Sequence, residues 1–299
     1  MKTFTFLMTA FLLFNSVIFA QVGISSDNTS PDPSAMLDVK STSKGFLPPR
    51  MSTTQMYLIP SPSAGLMVFN TTLSMICWYN GTAWVLLDNN DGKSCGSVSY
   101  GGKTYNSVII GFQCWMNENL NIGVSIAGSQ NQTNNGTIER YCYGNNPALC
   151  DIYGGLYQWG EMVQYFNGAT NLTSWSPVPT GNVQGICPSG WHLPTDADWA
   201  TLVNYLGGES VAGGKLKEAG TLHWMAANAT NSSGFTALPG GFRYDDGNFY
   251  FHFSNGYFYS ASESSAASGW VRTMGSGNTN VGREGDDKAF GMAVRCLQD

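Results

Sequence analysis

Formal charge is scarce in this chain. Only 11% of its 299 residues are charged, and 14 basic against 20 acidic side chains leave a net charge of −6. No basic stripe exists to displace the counterions of a phosphate backbone, which excludes a nucleic-acid partner. Histidine is equally sparse: His192, His223 and His252 are scattered, with no pair four residues apart and so no metalloprotease signature. Seven cysteines occur without one Cys-x-x-Cys pair, which argues against zinc ribbons and thioredoxin-like redox motifs. Beyond the N-terminus no apolar run approaches the roughly twenty residues that cross a bilayer, so no transmembrane segment is expected.

Glycine, with 36 residues, and aromatics, at 13%, are what the chain has in quantity. With abundant Ser, Thr and Asn, they predict a loop-rich, β-containing domain of extracellular type rather than a helical bundle or a disordered chain. Residues 1–20 read as a secretory signal. Lys2 supplies the charged start, residues 6–14 an apolar run, and Ile18-Phe19-Ala20 a cleavage site before Gln21. The expectation is a protein that is secreted or held at the cell surface. In that compartment seven cysteines imply disulfides plus one odd thiol, in a connectivity that the spacing leaves open. Roughly 280 residues remain after the signal, enough for about two domains.

Residues 21–88 read as a small β-rich module. A short strand at 36–39 is followed by a Lys44-Gly45 turn and the stiff Pro48-Pro49-Arg50 segment. A helical turn at 53–59 is halted by Pro60 and Pro62, and strands follow at 66–70 and 75–79. Asn80-Gly81 is a two-residue hairpin signal, with 82–87 as the returning strand. A sheet this small buries little by itself, so it leans on neighbours or on copies of itself, which points to a homo-oligomer. The polar, turn-rich stretch 89–94 is the expected linker, and 95–299 the second domain.

In that second domain Cys95 and Cys114 flank a hairpin at 97–112 and could join its ends, while Cys142 and Cys150 bracket a loop that a local disulfide could close. The Asn/Gln/Gly-rich segment 125–137 reads as a mobile loop. Residues 152–163 show helical spacing at Leu156, Trp159 and Val163. The clearest local signal is at 187–199. Thr195 is an N-cap, Asp196 and Asp198 favour the positive end of a helix, and Trp199, Leu202, Val203 and Leu206 define its apolar face before Gly207-Gly208 closes it. A second helix is expected at 210–219, then short strands at 235–238, 249–253, 257–262, 269–274, 280–283 and 290–297.

Several ordered blocks resemble known families. Ser34-Ala35-Met36-Leu37-Asp38-Val39, Lys44-Gly45-Phe46-Leu47-Pro48-Pro49-Arg50-Met51 and Gly65-Leu66-Met67-Val68-Phe69-Asn70 are similar to fibre-like N-terminal modules of exported Bacteroidetes proteins and phage tail fibres. Ile110-Gly111-Phe112-Gln113, Tyr153-Gly154-Gly155-Leu156-Tyr157-Gln158-Trp159, Cys187-Pro188-Ser189-Gly190-Trp191-His192-Leu193-Pro194, Leu238-Pro239-Gly240-Gly241-Phe242-Arg243 and Ala293-Val294-Arg295-Cys296 resemble the Fibrobacter-type major paralogous domain. That family looks similar to the C-type-lectin-like superfamily, including formylglycine-generating enzymes. The resemblance implies an α+β fold, with two helices on short twisted antiparallel strands and long loops. It also implies a Cys187–Cys296 bridge. By locality Cys95 then pairs with Cys114 and Cys142 with Cys150, leaving Cys77 free or intermolecular.

Gly92-Lys93-Ser94-Cys95-Gly96 fits a nucleophile-elbow pattern but lacks the flanking strand and helix. An oxidase of the formylglycine-generating type needs a reactive cysteine pair near the C-terminal loops, and no cysteine lies between Cys187 and Cys296. No catalytic residue is therefore assigned. Calcium is a weak candidate through Asp245, Asp246, Glu284, Asp286 and Asp287, although solvated turn acids explain them as well. Aromatics crowd the C-terminal half, and Phe249-Tyr250-Phe251 must place rings on both sides of its strand. The expected ligand surface comprises Arg243, Tyr244, Tyr250, Tyr257, Trp270, Arg272 and Arg283, the arginines serving as polar anchors or as salt-bridge partners of Asp245 or Glu284. The reading is a non-catalytic binding or adhesion protein that presents a lectin-like domain to a glycan or protein partner. The alternative is a self-assembling surface or fibre subunit without a small ligand.

Overall fold

The computed structural model describes residues 21–25, 27, 29–87 and 92–299, so the expected signal at 1–20 and the first part of the expected linker lie outside the described residues. The chain forms two compact units, the first ending at Arg50 and the second running from Met51 to Asp299. Compactness thus divides the chain well ahead of the 89–94 stretch.

In the first unit Val22–Ser25 pairs in parallel with Leu37–Lys40, in the register Val22↔Leu37 and Ile24↔Val39. Residues opposite each other in a ladder share a face, so these four apolar side chains form one surface. All four are exposed, between 43% and 57%. Parallel ribbons normally have both faces covered, and a two-stranded one is marginal alone.

The second unit begins with the short helix Thr53–Tyr57, capped by a reciprocal Ser52–Gln55 box. Met67–Asn70, Met75–Tyr79 and Trp84–Leu86 then form an antiparallel meander; Tyr79 pairs with Trp84, so the expected two-residue Asn80-Gly81 turn is corrected to a four-residue loop at 80–83. Met56, Val68, Cys77, Trp84 and Leu86 make its core, with Phe112 packed alongside. Cys77 is the free cysteine of the described residues and is buried, which raises its thiol pKa to about 11.

The rest is a strand-rich α+β arrangement. One sheet runs in the order Trp191–His192, Leu297–Gln298, Gln113–Met116, Lys103–Ile110 and Ser97–Tyr100. The other is centred on Asn255–Glu263. On one side that strand meets Ser268–Gly275 and then Gly282–Asp287; on the other lie Gly240–Arg243, Phe249–His252 and Met292–Ala293. Helix Asp196–Tyr205 carries the expected Thr195–Asp198 capping box and buries Trp199, Leu202 and Val203. Trp199 meets Trp115 at 4.8 Å and Phe235 and Phe258 at 5.8 Å. Glu209–Leu216 is the second helix.

Three disulfides join Cys95 to Cys114, Cys142 to Cys150 and Cys187 to Cys296. The last staples the residue before the Pro188 turn to the end of the chain, where Leu297–Gln298 pairs with Trp191–His192.

Several local expectations are corrected. Residues 152–163 do not form one helix: Pro147–Tyr153 is helical, Leu156–Tyr157 is a strand, and Trp159–Met162 is a single turn. Gly154 ends the first helix at φ 83°, where a Cβ would lie 2.5 Å from Asn119. Residues 235–238 form no strand, only a bridge from Ala237 to Lys217. The 290–297 stretch breaks into Met292–Ala293 and Leu297–Gln298, with the buried Arg295 between them. The Asn/Gln-rich loop is tied down rather than loose. Gln132 is buried, its amide donating to the Glu139 and Leu156 carbonyls, its backbone N–H to Gln158 Oε1 and the Tyr141 hydroxyl.

Candidate functional site

The surface that gathers aromatic side chains is the hairpin Gly240–Arg243/Phe249–His252, in the register Phe242↔Tyr250. Strand alternation would put Tyr250 on one side and Phe249, Phe251 on the other. Phe249 obeys, meeting the Tyr143 ring at 5.3 Å. Phe251 does not. Its φ of 62° is left-handed, an outlier for a bulky residue, and turns its ring onto the Tyr250 side. There it stacks on Phe242, centroids 6.0 Å apart and planes at 13°. Opposite it Gly241 is also left-handed, φ 63°, and a Cβ there would fall 2.3 Å from the Tyr250 carbonyl oxygen.

Phe242, only 8% exposed, is the hub. Around it lie Tyr257 at 4.9 Å, Phe290 at 5.4 Å, Tyr250 at 6.1 Å and Tyr244 at 6.2 Å. Tyr244 and Tyr250 remain 40% exposed and Phe251 54%, so the cluster presents an open aromatic platform. Asp246, in the hairpin turn, accepts from the Tyr250 hydroxyl at 3.1 Å and from Asn248, which holds its carboxyl below the usual range.

Register extends this face across the sheet. Tyr257 opposes Thr273 and Tyr259 opposes Val271; the next strand places Glu284 opposite Val271 and Asp286 opposite Gly269. Glu284 and Asp286 therefore share the side of Tyr257. Burial raises the Asp286 pKa, and Glu284 and Asp287 raise it further.

The seven expected ligand residues are not one site. Tyr244, Tyr250 and Tyr257 belong to the platform. Arg243 is corrected to a buried structural residue: its Nε donates to the Gly128 carbonyl at 2.9 Å and its Nη2 to Asn131 Oδ1 at 3.2 Å, fastening the Asn/Gln-rich loop, while it stacks on Tyr141. Trp270, Arg272 and Arg283 lie on the opposite face of the sheet, since Phe258↔Arg272↔Arg283 alternate with the Tyr257 and Tyr259 pairs. Arg272 is buried and binds Asp196 Oδ1 at 2.8 Å; Arg283 binds Asp196 Oδ2 at 2.9 Å and covers Trp270 at 3.4 Å. Their partner is thus the first residue of the main helix rather than Asp245 or Glu284. Burial alone would raise the Asp196 pKa, but hydrogen bonds from Arg283 and Arg272 outweigh it and hold it down.

The acids proposed for calcium do not converge. Asp245 and Asp246 sit in the hairpin turn, and Glu284, Asp286 and Asp287 follow one another along a strand. Among the described residues no group of three or more His, Cys, Asp or Glu side chains could hold a metal ion.

Sequence reasoning omitted Phe242, Phe251 and Phe290 from the site. Alternation places the Phe251 ring on the side away from Tyr250, and only its left-handed backbone brings it to the cluster. Phe290 had no local signal, because it arrives through the backbone pair that Gly291 makes with Arg243, 2.9 and 2.8 Å.

His192 is a core histidine at the helix entrance, its Nδ1 2.7 Å from Asp299 and its Nε2 3.8 Å from Asp198. Burial would lower its pKa, but hydrogen bonds to Asp198 and Asp299 prevail and raise it above 6.5. For Asp198 burial raises, yet the bonds from His192 and Thr195 prevail and hold it below 3.8. The histidine contribution is complete below pH 6.5 and is lost as pH rises through the higher folded value; that of Asp198 is complete above pH 3.8 and is lost as pH falls through the lower one. Urea midpoints should therefore decline on both sides of that window, and His192→Gln should flatten the alkaline decline. An unchanged alkaline slope in the variant would remove His192 from the account.

A disulfide-stapled α+β domain carrying an aromatic surface is the class of protein these observations define. The chain belongs to the Fibrobacter succinogenes major domain family, whose model matches residues 108–298. Residues 23–100 match a phage tail like trimerisation region. Neither the curated proteins nor the solved structures yield a match.

Proposed function

We propose that this protein is an exported, non-catalytic adhesion protein, displayed in several copies, whose C-type-lectin-like domain engages a glycan or protein on a partner surface. The observation that carries this reading is the platform around Phe242. Three exposed rings held by a strained backbone, with carboxylates of Asp246, Glu284 and Asp286 on the same side, suit stacking plus hydrogen bonding to a partner. Strain at Phe251 is retained where a strand would otherwise bury or turn away that ring. The disulfides support an oxidising compartment. The lectin-like assignment is supported by the pairing of the last strand beside the helix entrance and the Cys187–Cys296 staple.

The structural-subunit reading is favoured by a separate observation, the exposed apolar face of Val22, Ile24, Leu37 and Val39 together with the trimerisation-region match. One experiment weighs both. Full-length protein is tested on glycan arrays and on intact partner cells beside a Tyr250→Ala/Phe251→Ala variant and a variant with serine at those four ribbon positions. Adhesion predicts roughly tenfold weaker binding for the platform variant, whose changes are exposed and leave the core intact. Equal binding by the platform variant, with loss of assembly in the ribbon variant, would favour the subunit reading instead.

A further inference from the structure

One opening in the Met51–Asp299 unit lies away from the platform. It is a cleft of about 750 Å³ between the small meander and the C-terminal end of helix Asp196–Tyr205. That volume falls in the range of roughly 300–1,000 Å³ usual for small-molecule sites. One wall carries Tyr57, Tyr79 and Trp84, the last two in edge contact at 5.6 Å; the other carries Thr201 and Asn204. No residue with a formal charge lines it.

Two features make the cleft more than a seam between packed pieces. The meander core already closes over Met56, Cys77 and the body of Trp84, so the cleft is not space the fold failed to fill. Thr201, Asn80 and Thr82 are already hydrogen-bonded within the chain, but two further polar groups of the lining are uncommitted. Among the described residues neither the Asn204 side-chain amide nor the Tyr57 hydroxyl has a hydrogen-bond partner, and Tyr57 is 51% exposed. The helix ends at Gly207 and Gly208, both left-handed at φ 104° and 95°, and a Cβ at Gly208 would touch nothing within 4 Å. This keeps the cleft floor free of side chains at the point where the helix stops.

We propose that this cleft is a binding site for an uncharged saccharide, distinct from the platform. The half-exposed Tyr57 ring offers a face to sugar C–H groups, and an amide and a phenol, each both donor and acceptor, match hydroxyls that are likewise both. A charged ligand entering here would leave water without a counter-charge, a loss that nothing in the lining offsets. The site does not depend on what the platform binds.

The test uses the full chain and uncharged trisaccharides of gluco, galacto and manno configuration, measured by saturation-transfer NMR and calorimetry. At least one should bind, with Tyr57→Ala and Asn204→Ala each weakening it roughly tenfold, at an unchanged thermal midpoint for Asn204→Ala. Tyr250→Ala should leave the same binding intact, which separates this site from the platform. The proposal is overturned if no uncharged trisaccharide binds at millimolar concentration, or if binding survives both cleft variants. It is equally overturned if sulfated oligosaccharides or a proline-rich peptide bind where the neutral sugars do not. A change of oligomeric mass in Tyr57→Ala without any saccharide binding would assign the cleft to a second copy of the chain and overturn it too.

Discussion

Replacing Cys187 and Cys296 together by alanine should be the most damaging change to this protein. The bridge closes a loop with a sequence separation of 109, against 8 for Cys142–Cys150. In the chain-entropy model a cross-link stabilises by restricting the unfolded chain, which gives about 5 kcal/mol for the longer loop and about 2.5 kcal/mol for the shorter. Both sulfurs are fully buried beside the Trp191–His192/Leu297–Gln298 ladder, so their loss also loosens the pairing that holds the helix entrance. Denaturant unfolding followed by tryptophan fluorescence should show the larger midpoint shift for the Cys187/Cys296 variant. The reverse order would show that the long bridge sits on a region already held by packing.

Arg295→Met should cost on the order of 4 kcal/mol, second only to that bridge. Arg295 is buried to 1% exposure, and its guanidinium is the meeting point of three segments. Nε donates to Asn119 Oδ1 at 2.6 Å, Nη1 to the carbonyls of Met116, at 3.0 Å, and Phe235, and Nη2 to the Thr236 carbonyl at 2.9 Å. Its plane also lies 4.2 Å from the Phe235 ring. Burial pushes its pKa down to about 9, which still leaves it protonated at neutral pH. Removing the donor deprives four acceptors, three of them buried, of this partner, each buried one costing about 1–3 kcal/mol before relaxation if left unpaired. Lysine has the charge but not the planar fork, so Arg295→Lys should recover less than half of the loss. A destabilisation below about 1 kcal/mol for Arg295→Met would mean that water or a backbone shift satisfies those carbonyls.

Arg243 and Arg295 share a logic that no local pattern reveals. Each is an arginine inside the domain whose partners are mainly backbone carbonyls of distant loops. In a chain with so little charge, an arginine reads naturally as a surface anchor. The fold uses these two as internal fasteners, because long loops carry carbonyls that the sheets cannot satisfy. Arg272 and Arg283 were legible as salt-bridge formers, but their carboxylate stands 76 and 87 residues away, at the start of the main helix.

Sequence alone determined what depends on neighbours within a few positions. The Thr195 cap and the helix it opens, and a turn following Tyr79, are of this kind, because capping, turn geometry and apolar periodicity act over one or two turns of chain, whereas the α+β class was implied by the family resemblance. The scarcity of charge belongs with them. Only the tertiary structure decided which rings form a surface. The side on which a ring emerges depends on strand register, and at Phe251 on one left-handed backbone angle that alternation does not foresee. The cleft beneath Tyr57 and Asn204 was equally beyond local reading. Its two walls come from segments more than a hundred residues apart, brought together by core packing that acts on the folded chain as a whole.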